Sequence, residues 1–337
     1  MSPPSLSILD LSIGRTGWPL SAALDETTRL AQAADRLGYQ RFWVGENHNI
    51  ASLASSAPAV MIASIAQRTE RIRVGAGCVL LNNHSPLAVA EAYRVLHALH
   101  PGRIDLGLGR APGGDPLATL ALRRELGLAR DDEFIDRLAE LFGYFEGLPA
   151  GHRYHGVVAM PDDVPLPELW VLGSGLQSGR TAALAGVRYG FAGHLAPAIE
   201  HAREPVAAYR AGFEPTGSLD EPYVAVSVQV FCSDTEERAT ALADAYAVAW
   251  SRHRSGMPGL IPTVPEAERL ADSPAVAEAR ERVRAVARIG PPDAVVGGLL
   301  DAAADLGADE LILTTGIHDP DERTRCFELI AKHWPST

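Results

Sequence analysis

The chain has 337 residues, 47% hydrophobic and 21% charged, a globular balance with enough apolar surface to bury a large core. A formal net charge of −12, with no Lys/Arg cluster to neutralise phosphates, excludes nucleic acid as an expected partner. Cys78, Cys232 and Cys326 form no C-x-x-C pair, and no leader-like or membrane-length apolar run is present, so the expectation is a cytoplasmic protein without disulfides, zinc or a membrane partner.

In chain order, short apolar runs alternate with amphipathic ones. A strand over 6–12 precedes a helix over 20–37, closed by Gly38. A strand over 41–44 is followed by a helix over 58–68 with proline at its first position. A strand over 72–81 leads to a helix over 86–99, and a tight turn at Pro101-Gly102-Arg103 opens a fourth strand over 104–108. After a longer stretch come a helix over 131–145 and an irregular Pro/Gly/His-rich segment over 149–167. The cycle resumes with strand 169–172 and helix 178–185, strand 189–192 and helix 197–211, then strand 223–232 and helix 235–250. A helix over 292–306, a strand over 310–314 and a helix over 321–333 close the chain.

Roughly eight strands, each followed by a helix, predict a single (β/α)8 TIM barrel over residues 1–337. A doubly wound open sheet is the rival, and the strand count and even spacing favour the barrel. Residues 254–290 fall outside the repeat as an insertion before the last helix–strand unit, in which Ser273-Pro274 caps a helix running to Ala287; it reads either as surface decoration or as a lid over the barrel mouth.

A barrel carries its function at the C-terminal ends of its strands. The second strand is followed by Gly45-Glu46-Asn47-His48-Asn49, a polar set that fits either catalysis or a hydrogen-bonded loop. Gly75-Ala76-Gly77 interrupts the third strand, where glycine permits a bulge, close ligand approach or plain packing. Arg110 follows the fourth strand directly and calls for an anion, either a phosphate or an internal Asp105 or Asp115. The fifth strand runs into Gly173-Ser174-Gly175-Leu176-Gln177-Ser178-Gly179 and a helix, a mononucleotide phosphate site by its free N–H groups and hydroxyls. It lacks the G-x-G-x-x-G spacing of a dinucleotide fold. His48, His84, His194 and His318 each follow a strand, but no pair has metal-site spacing, so no metal is expected.

Together these segments resemble the bacterial luciferase-like flavin monooxygenases, in particular the short single-chain members. The resemblance is carried by Trp43-Val44-Gly45-Glu46-Asn47-His48-Asn49, Ala54 to Pro58, Arg71 to Gly77, Asn83-His84-Ser85-Pro86, His100 to Gly113, Leu172-Gly173-Ser174 and Gly307 to Leu311. It implies that Arg110 and Ser178 bind the flavin phosphate with help from backbone around Ser174 and Gly175. It places Gly75, Ala76 and Gly77 against the isoalloxazine ring, where family members often hold a non-proline cis peptide. It implies reduced FMN supplied by a separate flavin reductase, with F420 as the alternative cofactor, and oxygenation of a bulky organic substrate, by epoxidation or hydroxylation and in some relatives on aromatic polyketides in antibiotic biosynthesis. A homodimer is the expected assembly.

One position departs from the pattern. The resemblance calls for Glu-His-His after the second strand, with the first His as acid/base, and this chain has Asn47 there, followed by His48. Asn47 offers a hydrogen bond but no proton transfer. Three readings follow: a reaction that needs no base there, His48 as the substitute, or a flavin-binding protein without catalysis.

Overall fold

The parallel strands β1 (Ser5–Asp10), β2 (Arg41–Val44), β3 (Arg73–Leu80), β4 (Ile104–Gly109), β5 (Glu168–Gly173), β6 (Arg188–Phe191) and β7 (Val224–Cys232) pair in sequence. Beyond β8 (Ala287–Gly290), β9 (Glu310–Thr314) joins β7 to β1 and closes an eight-stranded ring. This is the (β/α)8 barrel. A computed structural model describes residues 3–123, 131–216 and 219–335.

The helices wrap the ring as α1 (Ala22–Leu37), α2 (Pro58–Ala66), α3 (Pro86–Leu99), α4 (Pro116–Arg123), α5 (Asp131–Glu146), α6 (Leu176–Leu184) and α7 (Arg203–Gly212). They continue as α8 (Glu236–Arg254), α9 (Val264–Arg269), α10 (Pro274–Val286), α11 (Pro292–Leu306) and α12 (Pro320–His333). Local chemistry sets their ends. Gly38 caps α1 at φ 81°, a conformation that costs any other residue a Cβ clash. Proline opens α2, α3, α10, α11 and α12, where its missing N–H has no intrahelical partner to lose. None of the described helices is long and apolar enough to cross a membrane.

Two elements differ from the sequence reading, and the capped helix expected inside the insertion is present. The span 197–211 is not one helix: a 3-10 turn at Ile199–Ala202 precedes α7. The stretch after β4 contains α4, in which none of the described residues Pro116–Arg123 is buried and Leu117 is 74% exposed. The 254–290 insertion is an ordered unit of α9, α10 and β8, and Ser273 caps α10 by accepting from the Val276 N–H. β8 extends the sheet along the upper half of β7, from Gln229 opposite Ala287 to Cys232 opposite Gly290. The Arg282 guanidinium of α10 donates to the carbonyl oxygens of Leu195 and Ala196.

The lumen is filled in tiers. Charged residues from the N-terminal ends of five strands form a buried plate at the bottom. Arg41 donates to Glu310 at 2.7 Å, Asp105 at 2.9 Å and Glu168 at 3.2 Å, and Arg73 donates through Nε to the other Asp105 oxygen at 2.8 Å. Tyr223 adds an O–H to Glu310 at 2.9 Å, and Ser7 donates to the same carboxylate. Above this plate sits an aromatic tier, with Trp43 edge-on to Trp170 at a centroid distance of 5.0 Å. The Trp43 indole N–H points down to Asp105 at 2.9 Å, which ties the two tiers together. Leu9, Ala225 and Ile312 complete the apolar layer. Nothing fills the lumen above it to the same degree, and that is where the site lies.

Candidate functional site

The C-terminal mouth encloses a cavity of about 930 Å³. Its floor is the aromatic tier, with Leu9, Trp43 and Ile312 facing into it. Apolar walls come from Leu11, Phe134, Ile135, Leu172 and Phe191, and the polar groups sit at separate stations around the rim.

One station lies where β4 and β5 end. Arg110 leaves β4 onto the cavity wall, and β5 delivers Ser174 and Gly175 to the start of α6. Gly175 caps α6 in extended conformation without a side-chain hydrogen bond, so the helix presents bare N–H groups there. Ser178 Oγ donates to the Gly175 carbonyl at 2.6 Å and lies 3.1 Å from the Tyr189 hydroxyl. A Cβ at Gly175 would meet nothing within 4 Å, so the corner is open. A helix N-terminus, two hydroxyls and a guanidinium around open space fit a phosphate. Asp105 is engaged by Arg41, Arg73 and Trp43, and Asp115 accepts from Asn49 and the Ala118 N–H.

A second station is the loop after β2. The Asn47 N–H donates to Ser55 O at 2.9 Å, the His48 N–H to Gly113 O at 2.8 Å, and Ser55 Oγ to Gly45 O at 2.6 Å. The loop is thus pinned from both sides and holds Asn47 on the cavity wall. Glu46 lies beneath it. Its Oε1 accepts from His48 Nε2 and His84 Nε2, each at 2.7 Å, and its Oε2 from the Leu80 N–H at 3.0 Å. Burial raises the Glu46 carboxyl, but the bonds from His84, His48 and Leu80 outweigh it and hold it below the ordinary glutamate range.

The third station is the β3 bulge. Register against β4 shifts between Ala76 and Val79, and the Gly77–Cys78 peptide in that gap is cis. Burial, with Glu46 nearby, pushes the Cys78 thiol up to about 12, so it is protonated at neutral pH.

The luciferase-like monooxygenase model matches residues 9–310. The chain belongs to the luciferase-like monooxygenase family. A protein of that name from Escherichia coli K12 is 33% identical over 325 residues, covering 96% of this chain and 95% of that one. The N-acetyl-S-alkylcysteine monooxygenase of Bacillus subtilis 168 is 38% identical over 235 residues, 69% of each chain. Among solved structures, apo-MsnO8 superposes with a TM-score of 0.88 at 35% identity, covering 98% of both chains.

The fold of this luciferase-like protein brings Asn47, Gly77, Arg110, Ser174, Gly175 and Ser178 to one cavity. It does not bring all the expected residues there. Gly75 lies below the mouth, and a Cβ on it would stand 2.5 Å from Asp105 Cβ and 3.0 Å from Trp43 Nε1. Its smallness lets the bottom plate pack against β3. Ala76 is fully buried beside β4, where Gly107 approaches so closely that a Cβ there would lie 2.2 Å from the Ala76 carbonyl oxygen. Of the three residues expected to face the ring, Gly77 lines the cavity and Gly75 and Ala76 do not. His48 is not on the cavity wall, because its imidazole is turned onto Glu46.

Sequence reasoning also missed a cluster. Glu46, His48 and His84 place three potential ligand atoms within 4.8 Å of one another. The arrangement is a hydrogen-bond fork on one carboxylate oxygen, with the Leu80 N–H on the other. The separation of 36 positions between His48 and His84 concealed it. Their shared position after adjacent strands was the available signal.

Proposed function

We propose that this chain is a monooxygenase that binds reduced FMN from a separate reductase and inserts one atom of O2 into a bulky organic substrate. The observation that carries this reading is the 930 Å³ cavity with one phosphate-fitting corner and predominantly apolar walls. Arg110, Ser178 and the α6 N–H groups would hold the phosphate, and Gly77 and the adjoining bulge would flank the ring. Bound reduced FMN would supply the two electrons that O2 needs to give one oxygen atom to the substrate and one to water. The protein's own work is to orient the partners and keep water out, which Phe134, Ile135, Leu172 and Phe191 do by covering the cavity with hydrocarbon. A chamber of this size accommodates a substrate such as an aromatic polyketide, for epoxidation or hydroxylation.

Anaerobic titration separates the cofactors. The protein should purify nearly colourless and bind reduced FMN more tightly than oxidised FMN. Binding of reduced F420 with no measurable affinity for FMN would overturn the reading.

Asn47 bears on the chemistry. Its amide hydrogen-bonds but transfers no proton at neutral pH, so the reaction served here proceeds without a base at that station. In single-turnover assays, Asn47→His should therefore not bring the ~10²–10⁴-fold gain of a positioned acid or base. An inert native chain switched on by Asn47→His alone would replace the oxygenase reading with a flavin-binding protein.

We also propose that the 254–290 insertion acts as a lid, since Arg282 ties α10 to the carbonyls beside the cavity-lining Leu195. Amide exchange across α9 and α10 should slow when flavin and substrate are both saturating. Unchanged exchange would make the insertion a surface decoration.

A further inference from the structure

The turn after β6 carries another polar group to the cavity. Gly193–Leu195 forms a 3-10 turn, and Gly193 lies so close to β7 that a Cβ there would stand 2.4 Å from the Ser227 carbonyl oxygen. That approach lets the next side chain, His194, reach Ser227, whose Oγ is 2.6 Å from His194 Nδ1. Ser227 shares a face of β7 with Ala225 of the lumen tier, so its hydroxyl looks into the barrel. His194 and Ser227 both line the cavity. In the ring of eight strands β6 stands four places from β2, so His194 faces Asn47 across the mouth.

The hydrogen-bond network assigns the tautomer. Ser227 Oγ also lies 3.4 Å from the Phe191 carbonyl, which can only accept. Both contacts are used when the hydroxyl donates to Phe191 and Nδ1–H donates to the hydroxyl. Nε2 is then a bare acceptor, and it makes no hydrogen bond among the described residues. Burial lowers the His194 pKa to about 4, and no carboxylate pairs with it among the described residues, so the ring is neutral at physiological pH.

We propose that His194 is the substrate-recognition residue of this cavity, its Nε2 accepting a hydrogen bond from an O–H or N–H group on an organic substrate while Ser227 fixes the ring. The proposal rests on reading the cavity as the chamber of an oxygenase. A neutral acceptor in an apolar wall does not select for ionic charge. It favours phenols, alcohols and amides over the corresponding ethers, because an ether leaves the buried nitrogen unpaired. Ser227 is a positioning residue, since it acts through the imidazole.

The test uses 2-naphthol and 2-methoxynaphthalene as probes, which differ by masking of one O–H. Affinities are measured by calorimetry on the full chain, with and without saturating reduced FMN. The native protein should prefer 2-naphthol about tenfold, equivalent to about 1.4 kcal/mol. His194→Phe should bring the ratio near one while 2-methoxynaphthalene and FMN still bind within about twofold of the native values, which also shows that the variant folds. His194→Gln, which keeps an acceptor, should retain part of the preference. Ser227→Ala should weaken the preference and alter the ring's ¹⁵N tautomer signature. A preference that survives His194→Phe, or is missing from the native protein, overturns the proposal. So does a parallel loss of FMN affinity, which would assign the ring to the cofactor. A native chain that keeps the preference but binds no flavin would leave this inference standing and remove the oxygenase reading.

Discussion

Arg41→Ala should destabilise the fold by about 3–5 kcal/mol, the usual cost of leaving buried charges uncompensated. Arg41 is 3% exposed and donates to Asp105, Glu168 and Glu310 in one plate, where Asp105 and Glu310 are fully buried. Their attraction holds the guanidinium pKa well above its ordinary value despite burial, so Arg41 is a permanent cation. For a chain of this length the loss corresponds to a fall in Tm of roughly 4–7 °C. FMN affinity, measured below the transition, should not change, because the plate and the mouth lie at opposite ends of the barrel. The same plate sets the acid limit. Burial raises the Asp105 carboxyl, but Arg41, Arg73 and the Trp43 N–H outweigh it and hold its folded pKa below the ordinary value. A depressed carboxyl contributes stability that is complete above its unfolded pKa, near 4, and lost as pH falls through the folded one. Native protein should thus lose stability below about pH 4, and Arg41→Ala should flatten that dependence. A loss under about 1 kcal/mol on denaturant titration would mean that Arg73 suffices to neutralise the plate.

Arg110→Ala should weaken reduced FMN about ten- to hundredfold, the effect of one charge-assisted hydrogen bond of about 1.5–3 kcal/mol. Riboflavin, which lacks the phosphate, should bind native and variant protein alike. Position motivates the difference. Arg110 stands on the cavity wall at the end of β4, beside the Ser174–Gly175 corner where α6 begins. Ser178→Ala should cost less, since the helix N–H groups remain. Equal losses for FMN and riboflavin would show that Arg110 supports the wall rather than the phosphate.

Much of the scaffold was legible because its signals are local. The Arg41–Val44 strand and the Pro86–Leu99 helix have the bounds that periodicity and proline placement indicate, and Gly38 ends α1 as its freedom at positive φ requires. α4 escaped notice although Asp115-Pro116 is a helix start, with the Asp115 carboxylate accepting from the Ala118 N–H. Its apolar residues face outward, so no buried stripe marked it. β8 has no signal as a strand, and its first residue, Ala287, reads as the end of the α10 helix, because four residues that pair only with the upper end of β7 carry no periodicity of their own. The Ser174–Gly175 corner at the start of α6 was legible as a strand–glycine–helix junction. The bottom plate was not, since it is assembled across 269 positions between Arg41 and Glu310. A trace existed: Arg41, Asp105 and Glu310 each put a charge into an otherwise apolar strand. That argument was applied to Arg110 and holds equally for these three. The Glu46 fork and the His194–Ser227 pair were hidden likewise, as contacts between strand ends whose partners the sequence does not name.

The helix after β4 leaves hydrocarbon on the outer surface. Among its described residues, Pro116–Arg123, none is buried, and Leu117, Leu120 and Leu122 stay in contact with water. Water around exposed leucines is released when another apolar surface covers them. An apolar molecule that settles on the β4 side therefore exchanges part of its own hydration shell for leucine side chains.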